Sequence, residues 1–265
     1  MLKRMTYKGT ELVYSDRGQG PCLVLLHGYL ESMEIWEGFA EHIPDGYRLI
    51  IPDLPGHGSS GTWGDSHGME ELAGGIRALM ELEGIDAIFL VGHSMGGYVA
   101  MAFADLFPGN LLGYCLLHST CFADSDEKKE NRDREISLVL CGKKRQIVLV
   151  NIPKAFSTDN VDRMAGEVEK ARCIALANSD EGIIALLRGM KSRPDRSAVL
   201  QDPAIPLLLV GGMKDNYIPV EVFEKLVGLA PHATVLRLEE SGHMGFVEER
   251  EKVLAALLEM MDRFA

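Results

Sequence analysis

The sequence predicts an α/β domain in which a mostly parallel sheet of eight strands is covered by helices and interrupted by a separate helical block. Two patterns carry this prediction. Runs such as Leu23-Val24-Leu25-Leu26 and Ala87-Ile88-Phe89-Leu90-Val91 are apolar at every position, and a strand without a polar face is one buried on both sides, as in a parallel sheet between helix layers. These runs also alternate with stretches of helical period, the order that builds crossover units.

The elements follow in order. Residues 4–8 and 11–16 interleave polar and apolar side chains and read as an antiparallel hairpin at the sheet edge. Further strands are predicted over 22–27, 47–52, 86–91 and 111–117, with helices over 33–41, 68–83 and 95–107. From about Ser119 to Leu200 the strand runs vanish. Met164, Val168, Ala171 and Ala175 make one helical stripe there, and Ile183, Leu187 and Met190 make another. The mixed-charge run from Asp124 to Arg134 reads as a solvated helix face. The sheet pattern returns at Pro206-Leu207-Leu208-Leu209-Val210 and Thr234-Val235-Leu236-Arg237-Leu238, and the chain closes on a helix with Val253, Leu254, Leu257, Leu258 and Met261 on one face. The expected organisation is one core domain, residues 1–118 and 201–265, with 119–200 inserted as a helical lid.

Composition narrows the function. The 265 residues carry 39 acidic and 27 basic side chains, a net charge of −12. Nucleic acid and anionic membrane surfaces select for the opposite sign, so the expected partner is a small molecule. The five cysteines, Cys22, Cys115, Cys121, Cys141 and Cys173, form no CxxC pair and no cluster at metal spacing. Neither a disulfide framework nor a metal is expected, and no other cofactor. The N-terminal residues lack the apolar core of a secretion signal, and no apolar run approaches the ~18 residues of a membrane span, so the expected address is the cytoplasm.

The chemistry centres on Gly92-His93-Ser94-Met95-Gly96-Gly97, between a buried strand and a helix. A serine on so sharp a turn is lifted clear of the sheet, and glycine is needed two residues away on either side, where a side chain would collide with the turn. The serine also lies at a helix N-terminus, which favours developing negative charge. A hydroxyl needs a base. His243, in the loop Ser241-Gly242-His243-Met244-Gly245 after the last strand, is the candidate among eight histidines. His93 should be turned away by the elbow, His27 and His118 end strands, and His42, His67 and His232 read as surface residues. Asp215 follows the strand 206–210 and precedes His243 by 28 residues, room for a helix and a strand, so it is the candidate for orienting the base. Asp202, before a proline, reads as a turn residue. The amides of Met95, after the serine, and Tyr29, in the loop after the first buried parallel strand, are candidates for an oxyanion hole.

Taken together these residues resemble the α/β-hydrolase superfamily over almost the whole chain. His27-Gly28-Tyr29 is similar to its oxyanion loop, Asp53-Leu54-Pro55-Gly56-His57-Gly58-Ser59-Ser60 to the loop after its next strand, and Gly92 to Gly97 to its nucleophile elbow. Asp215 and Ser241-Gly242-His243 complete the family's order of Ser, Asp and His. The resemblance implies the α/β-hydrolase fold with a helical lid and acyl chemistry on an ester, thioester or lactone, since aspartate-elbow branches are excluded by Ser94. It leaves two alternatives. A menaquinone-pathway succinyl-hydroxycyclohexadiene carboxylate synthase is similar in length and in its Pro-Gly-His-Gly loop, but carries arginine where this chain has Tyr98, with Arg132 and Arg134 as the remaining basic residues that could serve. A triad-bearing ligand sensor is the other. Met164, Ile183, Leu187 and Met190 are expected to roof the pocket, and an apolar roof favours short to medium neutral acyl groups.

Overall fold

The computed structural model describes residues 1–264. Its centre is an eight-stranded sheet: β1 (Leu2–Tyr7), β2 (Thr10–Arg17), β3 (Cys22–Leu26), β4 (Arg48–Pro52), β5 (Ile88–His93), β6 (Leu111–Leu117), β7 (Leu207–Gly212) and β8 (Thr234–Leu238), in the spatial order β1-β2-β4-β3-β5-β6-β7-β8. β2 pairs antiparallel with β1 and β4, and every other pairing is parallel. The β1–β2 turn, Lys8-Gly9, has both residues in the left-handed region (φ 50° and 77°), which matches the twist of a tight hairpin.

β3 and β5, in the middle, are buried at every residue, as runs without a polar face require. Burying one such side chain contributes roughly 1.5–3 kcal/mol, so these strands anchor the core. Helices α1 (Glu37–Ala40), α2 (Met69–Leu82) and α3 (Met95–Leu106) come from the first half. The predicted helix over 33–41 is a 3-10 turn, Met33–Trp36, running into the short α1. The segment between β6 and β7 contains only helices: α4 (Asp126–Leu140), α5 (Lys144–Ala155), α6 (Ala165–Ala177), α7 (Asp180–Ser192) and α8 (Ser197–Leu200). The chain continues through α9 (Val220–Leu229) and ends with α10 (Gly245–Glu248) and α11 (Arg250–Phe264). Helices α2 and α3 pack on each other, and α11 packs on β6, β7 and β8. No helix among the described residues is long and apolar enough to cross a membrane.

The topology positions the site. β3, β5, β6, β7 and β8 are mutually parallel, so the loops leaving their C-terminal ends gather along one edge of the sheet, where open α/β sheets build clefts. Those loops carry Tyr29, Ser94, His118, Asp215 and His243 in turn.

Candidate active site

Ser94 adopts φ 50° and ψ −112° between β5 and α3, a strained conformation for a residue with a side chain. The turn holds because its neighbours are glycine. A Cβ on Gly92 would lie 2.3 Å from the Gly96 carbonyl oxygen, and one on Gly96 would lie 2.5 Å from that of Leu26. The elbow is tied to the next strand on both sides: Ser94 N–H donates to Leu117 O (3.0 Å), and Ser119 Oγ donates to Ser94 O (2.7 Å). Met95 opens α3, so its amide is one of the donors that a helix leaves without an internal acceptor.

His243 is held from three directions. Its N–H donates to Ala155 O (2.6 Å), its carbonyl accepts from His93 Nε2 (2.9 Å), and its Nδ1 donates to Asp215 Oδ2 (2.7 Å). Phe246, just beyond, packs on Trp36 with ring centroids 4.3 Å apart and fixes the loop against the core. Asp215 Oδ1 accepts the amides of Tyr217 (2.7 Å) and Ile218 (3.0 Å), while Oδ2 is shared with His118 Nδ1 (3.3 Å). Burial pushes this carboxyl up, but the two imidazoles and the amides overcome it and hold it well below the usual carboxylate range. His118 Nε2 accepts the Gly245 amide (3.1 Å), so its proton is on Nδ1, and burial pushes its pKa down to about 4. His118, Asp215 and His243 lie close enough to suggest a metal trio. Their lone pairs are already used: both Asp215 oxygens accept hydrogen bonds, and only His243 Nε2 remains open.

The loop after β3 is pinned by histidines. Leu30, at φ 63°, donates its N–H to His57 Nε2 (2.9 Å), and Gly28 N–H donates to Glu31 Oε2 (2.5 Å). Between them the Tyr29 amide has no protein acceptor among the described residues. His27 and His57 stack with centroids 5.9 Å apart, each giving one nitrogen's proton to a backbone carbonyl and accepting an amide on the other. Desolvation pushes His57 down to about 3, so both rings act as neutral braces. His93 is different. Its Nδ1 faces Glu31 Oε2 at 3.0 Å, and that carboxylate overcomes burial and raises its pKa, so a buried Glu31–His93 ion pair joins the Tyr29 loop to the His243 carbonyl. Sequence reasoning turned His93 away from Ser94 but had no means of finding Glu31 as its partner. His67, read as a surface residue, is buried and braces the loop at Trp63: its Nδ1 donates to Pro55 O (2.9 Å) and its Nε2 accepts the Trp63 amide (3.2 Å).

Tyr29, Ser94 and His243 line one cavity of about 360 Å³, within the usual range for small-molecule sites. Of the expected roof residues only Met190 lines it. Ile183 and Leu187 are buried elsewhere in the core, and Met164 caps the start of α6 away from the cavity. A helical stripe signals an apolar face without saying what covers it. The roof is mixed rather than wholly apolar: α4 and α5 supply Ile152 and Ala155 beside Arg132, Glu135, Asn151 and Lys154. The run read as a solvated face contains a fully buried carboxylate, Asp124, joined to Arg132 and to Arg193 (2.7 Å). Arg134 is exposed and pairs with Glu130 along its own helix (3.2 Å).

A parallel sheet whose strand-end loops carry a strained serine and an Asp-braced histidine defines a class. The chain belongs to the alpha/beta hydrolase family, whose sequence profile matches residues 23–257. It is similar to a thermophilic esterase from Thermogutta terrifontis, solved with malate bound, at 31% identity over 100% of this chain and 99% of the other, with a TM-score of 0.93. A 2-hydroxy-6-oxononadienedioate/2-hydroxy-6-oxononatrienedioate hydrolase of Paraburkholderia phymatum is 29% identical over 267 residues, 96% of this chain and 92% of the relative. The enol-lactonase of Burkholderia xenovorans LB400, at 19% identity and a TM-score of 0.90 over 98% of this chain and 100% of the other, shares the fold.

Proposed function

We propose that the protein is a serine hydrolase that cleaves a small carboxylic ester or related acyl compound. The observation that carries the reading is the strained Ser94 opening into the same cavity as His243, whose Nδ1 donates to Asp215 at 2.7 Å. Ser94 Oγ attacks the acyl carbon while His243 Nε2 takes its proton and passes it to the leaving alcohol. Water then adds to the acyl-enzyme, giving its proton to His243, and Ser94 is released with the acid. Asp215 keeps the proton of His243 on Nδ1 and stabilises the imidazolium. The amides of Tyr29 and Met95 receive the oxyanion, and two such donors suffice when aimed where charge develops. The helical block 119–200 acts as the lid that closes the cavity over the core formed by 1–118 and 201–265. The likeness to an esterase over the full chain supports acyl chemistry.

A fluorophosphonate probe with mass spectrometry tests this. Ser94 should carry the adduct, labelling should disappear in Ser94→Ala and fall steeply in His243→Ala, and a panel of p-nitrophenyl esters, thioesters and lactones should be turned over by the unmodified protein alone. An adduct on Ser119, or labelling of Ser94→Ala at the original rate, would refute the assignment.

A further inference from the structure

Arg132 and Glu135 lie three residues apart on α4, on one face of the helix, and both line the cavity that holds Ser94 and His243. Arg132 engages Asp124 through Nε and Nη2, whereas its Nη1 has no protein acceptor among the described residues. Asp124 is itself shared, because Arg193 Nη1 also reaches it at 2.7 Å, with the Arg193 guanidinium stacked 3.8 Å over the ring of Tyr98, another lining residue. Two guanidinium groups on one buried carboxylate leave a positive surplus. Such a surplus is costly to keep out of water unless an anion meets it.

Glu135 feels the Arg132 charge but forms no direct ion pair with it among the described residues. Its Oε1 instead accepts the Tyr29 hydroxyl (3.0 Å) and the Asn151 amide (3.3 Å). Burial raises the pKa of this carboxyl, against the Tyr29 hydrogen bond and the Arg132 charge that lower it. Lys128 and Lys154 add two more cations to the same lining, in a protein whose net charge is −12.

We propose that the substrate is the half-ester of a dicarboxylic acid, with its free carboxylate held by Arg132 Nη1 while its acyl carbon faces Ser94. This rests on the serine-hydrolase reading above and names the substrate class for that site. It replaces the expectation of neutral acyl groups that an apolar roof suggested.

The comparison of p-nitrophenyl succinate with p-nitrophenyl butyrate isolates the second carboxylate. The unmodified protein should favour the succinate half-ester in kcat/KM by at least about tenfold, as expected for a hydrogen bond to a charged group. Arg132→Gln should lower the succinate value roughly 10- to 100-fold and leave butyrate within about threefold. Arg134→Gln, an exposed site outside the cavity, should leave both unchanged. Equal loss on both esters, or no preference in the unmodified protein, would overturn the proposal. Should Arg132→Gln not fold with Asp124 left short of a partner, inhibition of the unmodified protein decides: succinate should inhibit butyrate-ester hydrolysis at roughly tenfold lower concentration than butyrate, and equal inhibition refutes the site. Fluorophosphonate labelling of Ser94 separates the two readings. Labelling without succinate selectivity sinks the carboxylate site, whereas selectivity without labelling keeps that site and sinks the serine chemistry.

Discussion

At Asp215 one carboxylate holds two imidazoles and two backbone amides, and its value to the site depends on acceptor capacity that no amide can match. In Asp215→Asn one of the two side-chain positions becomes an NH₂ donor. If the NH₂ faces His243 and His118, donor meets donor; if it faces Tyr217 and Ile218, it opposes their amides at 2.7 and 3.0 Å. In the first orientation the histidine favours the other tautomer, with its proton on the nitrogen that must act as base. The expected result is a folded protein whose kcat on a p-nitrophenyl ester falls by up to about 10⁴. Asp202→Asn is expected to change little, because Asp202 is exposed and its Oδ1 only accepts the Ala204 amide at 2.9 Å. A variant at 215 with more than half the original kcat would assign the acid elsewhere. The same logic of a carboxylate orienting an imidazole recurs in Glu31 and His93, but there the ring holds a backbone carbonyl and braces His243 from behind.

At the scale of elements, α7 shows how the helical block is seated. Gly182 and Gly189 are seven residues apart, two turns on one face, and that face meets backbone directly: a Cβ on Gly182 would lie 1.8 Å from Gly56 O, and one on Gly189 would lie 1.7 Å from His67 O. His67 N–H also donates to Ala185 O at 3.0 Å, so α7 is clamped to the loop between β4 and α2. Met190, next to Gly189, lines the cavity. Gly189→Ala should therefore displace the helix, lower Tm by several degrees or more, and change KM through the shifted roof. Gly166→Ala, where a Cβ meets nothing within 4 Å on α6, should be neutral or stabilise by up to about 1 kcal/mol. Equal thermal shifts in the two variants would show that α7 does not depend on this close approach. The sequence pattern told that these residues are helical and that Ile183, Leu187 and Met190 share a face. It could not tell that the neighbouring glycine face is pressed against the loop between β4 and α2, because periodicity reports a stripe and not its partner.

For the whole molecule, what was legible followed from chain distance. The elbow, the His243 loop and the position of Asp215 are each written within a few residues, and parallel topology does the rest by gathering strand ends at one edge. Glu31 with His93, and Asp124 with Arg132 and Arg193, are pairs whose members come from different elements or loops, and nothing in local spacing joins them. The same holds for the buried histidines, whose protonation sets how the fold responds to acid. His27, His57, His67 and His118 all have pKa values lowered from the ordinary 6.5, chiefly by desolvation, His57 to about 3 and His118 to about 4. On unfolding they regain ordinary values, so below about pH 6.5 the unfolded chain binds protons that the folded one refuses, down to about pH 4 for His118 and about pH 3 for His57. Stability then falls as pH falls, by about 1.4 kcal/mol per pH unit for each such proton. Asp215 acts in a lower window, since its depressed pKa supplies stability that is lost only below about pH 4. His93 has the opposite sign: its raised pKa contributes below 6.5 and is lost as pH rises past it, one group against four. The urea midpoint should therefore drop clearly from pH 7 to pH 5, and His57→Gln, whose amide can keep the acceptor for Leu30 without titrating, should flatten that drop while being less stable at pH 7. Equal midpoints at the two pH values would mean that these rings are already charged in the folded protein, and the neutral bracing of the Tyr29 loop would have to be given up.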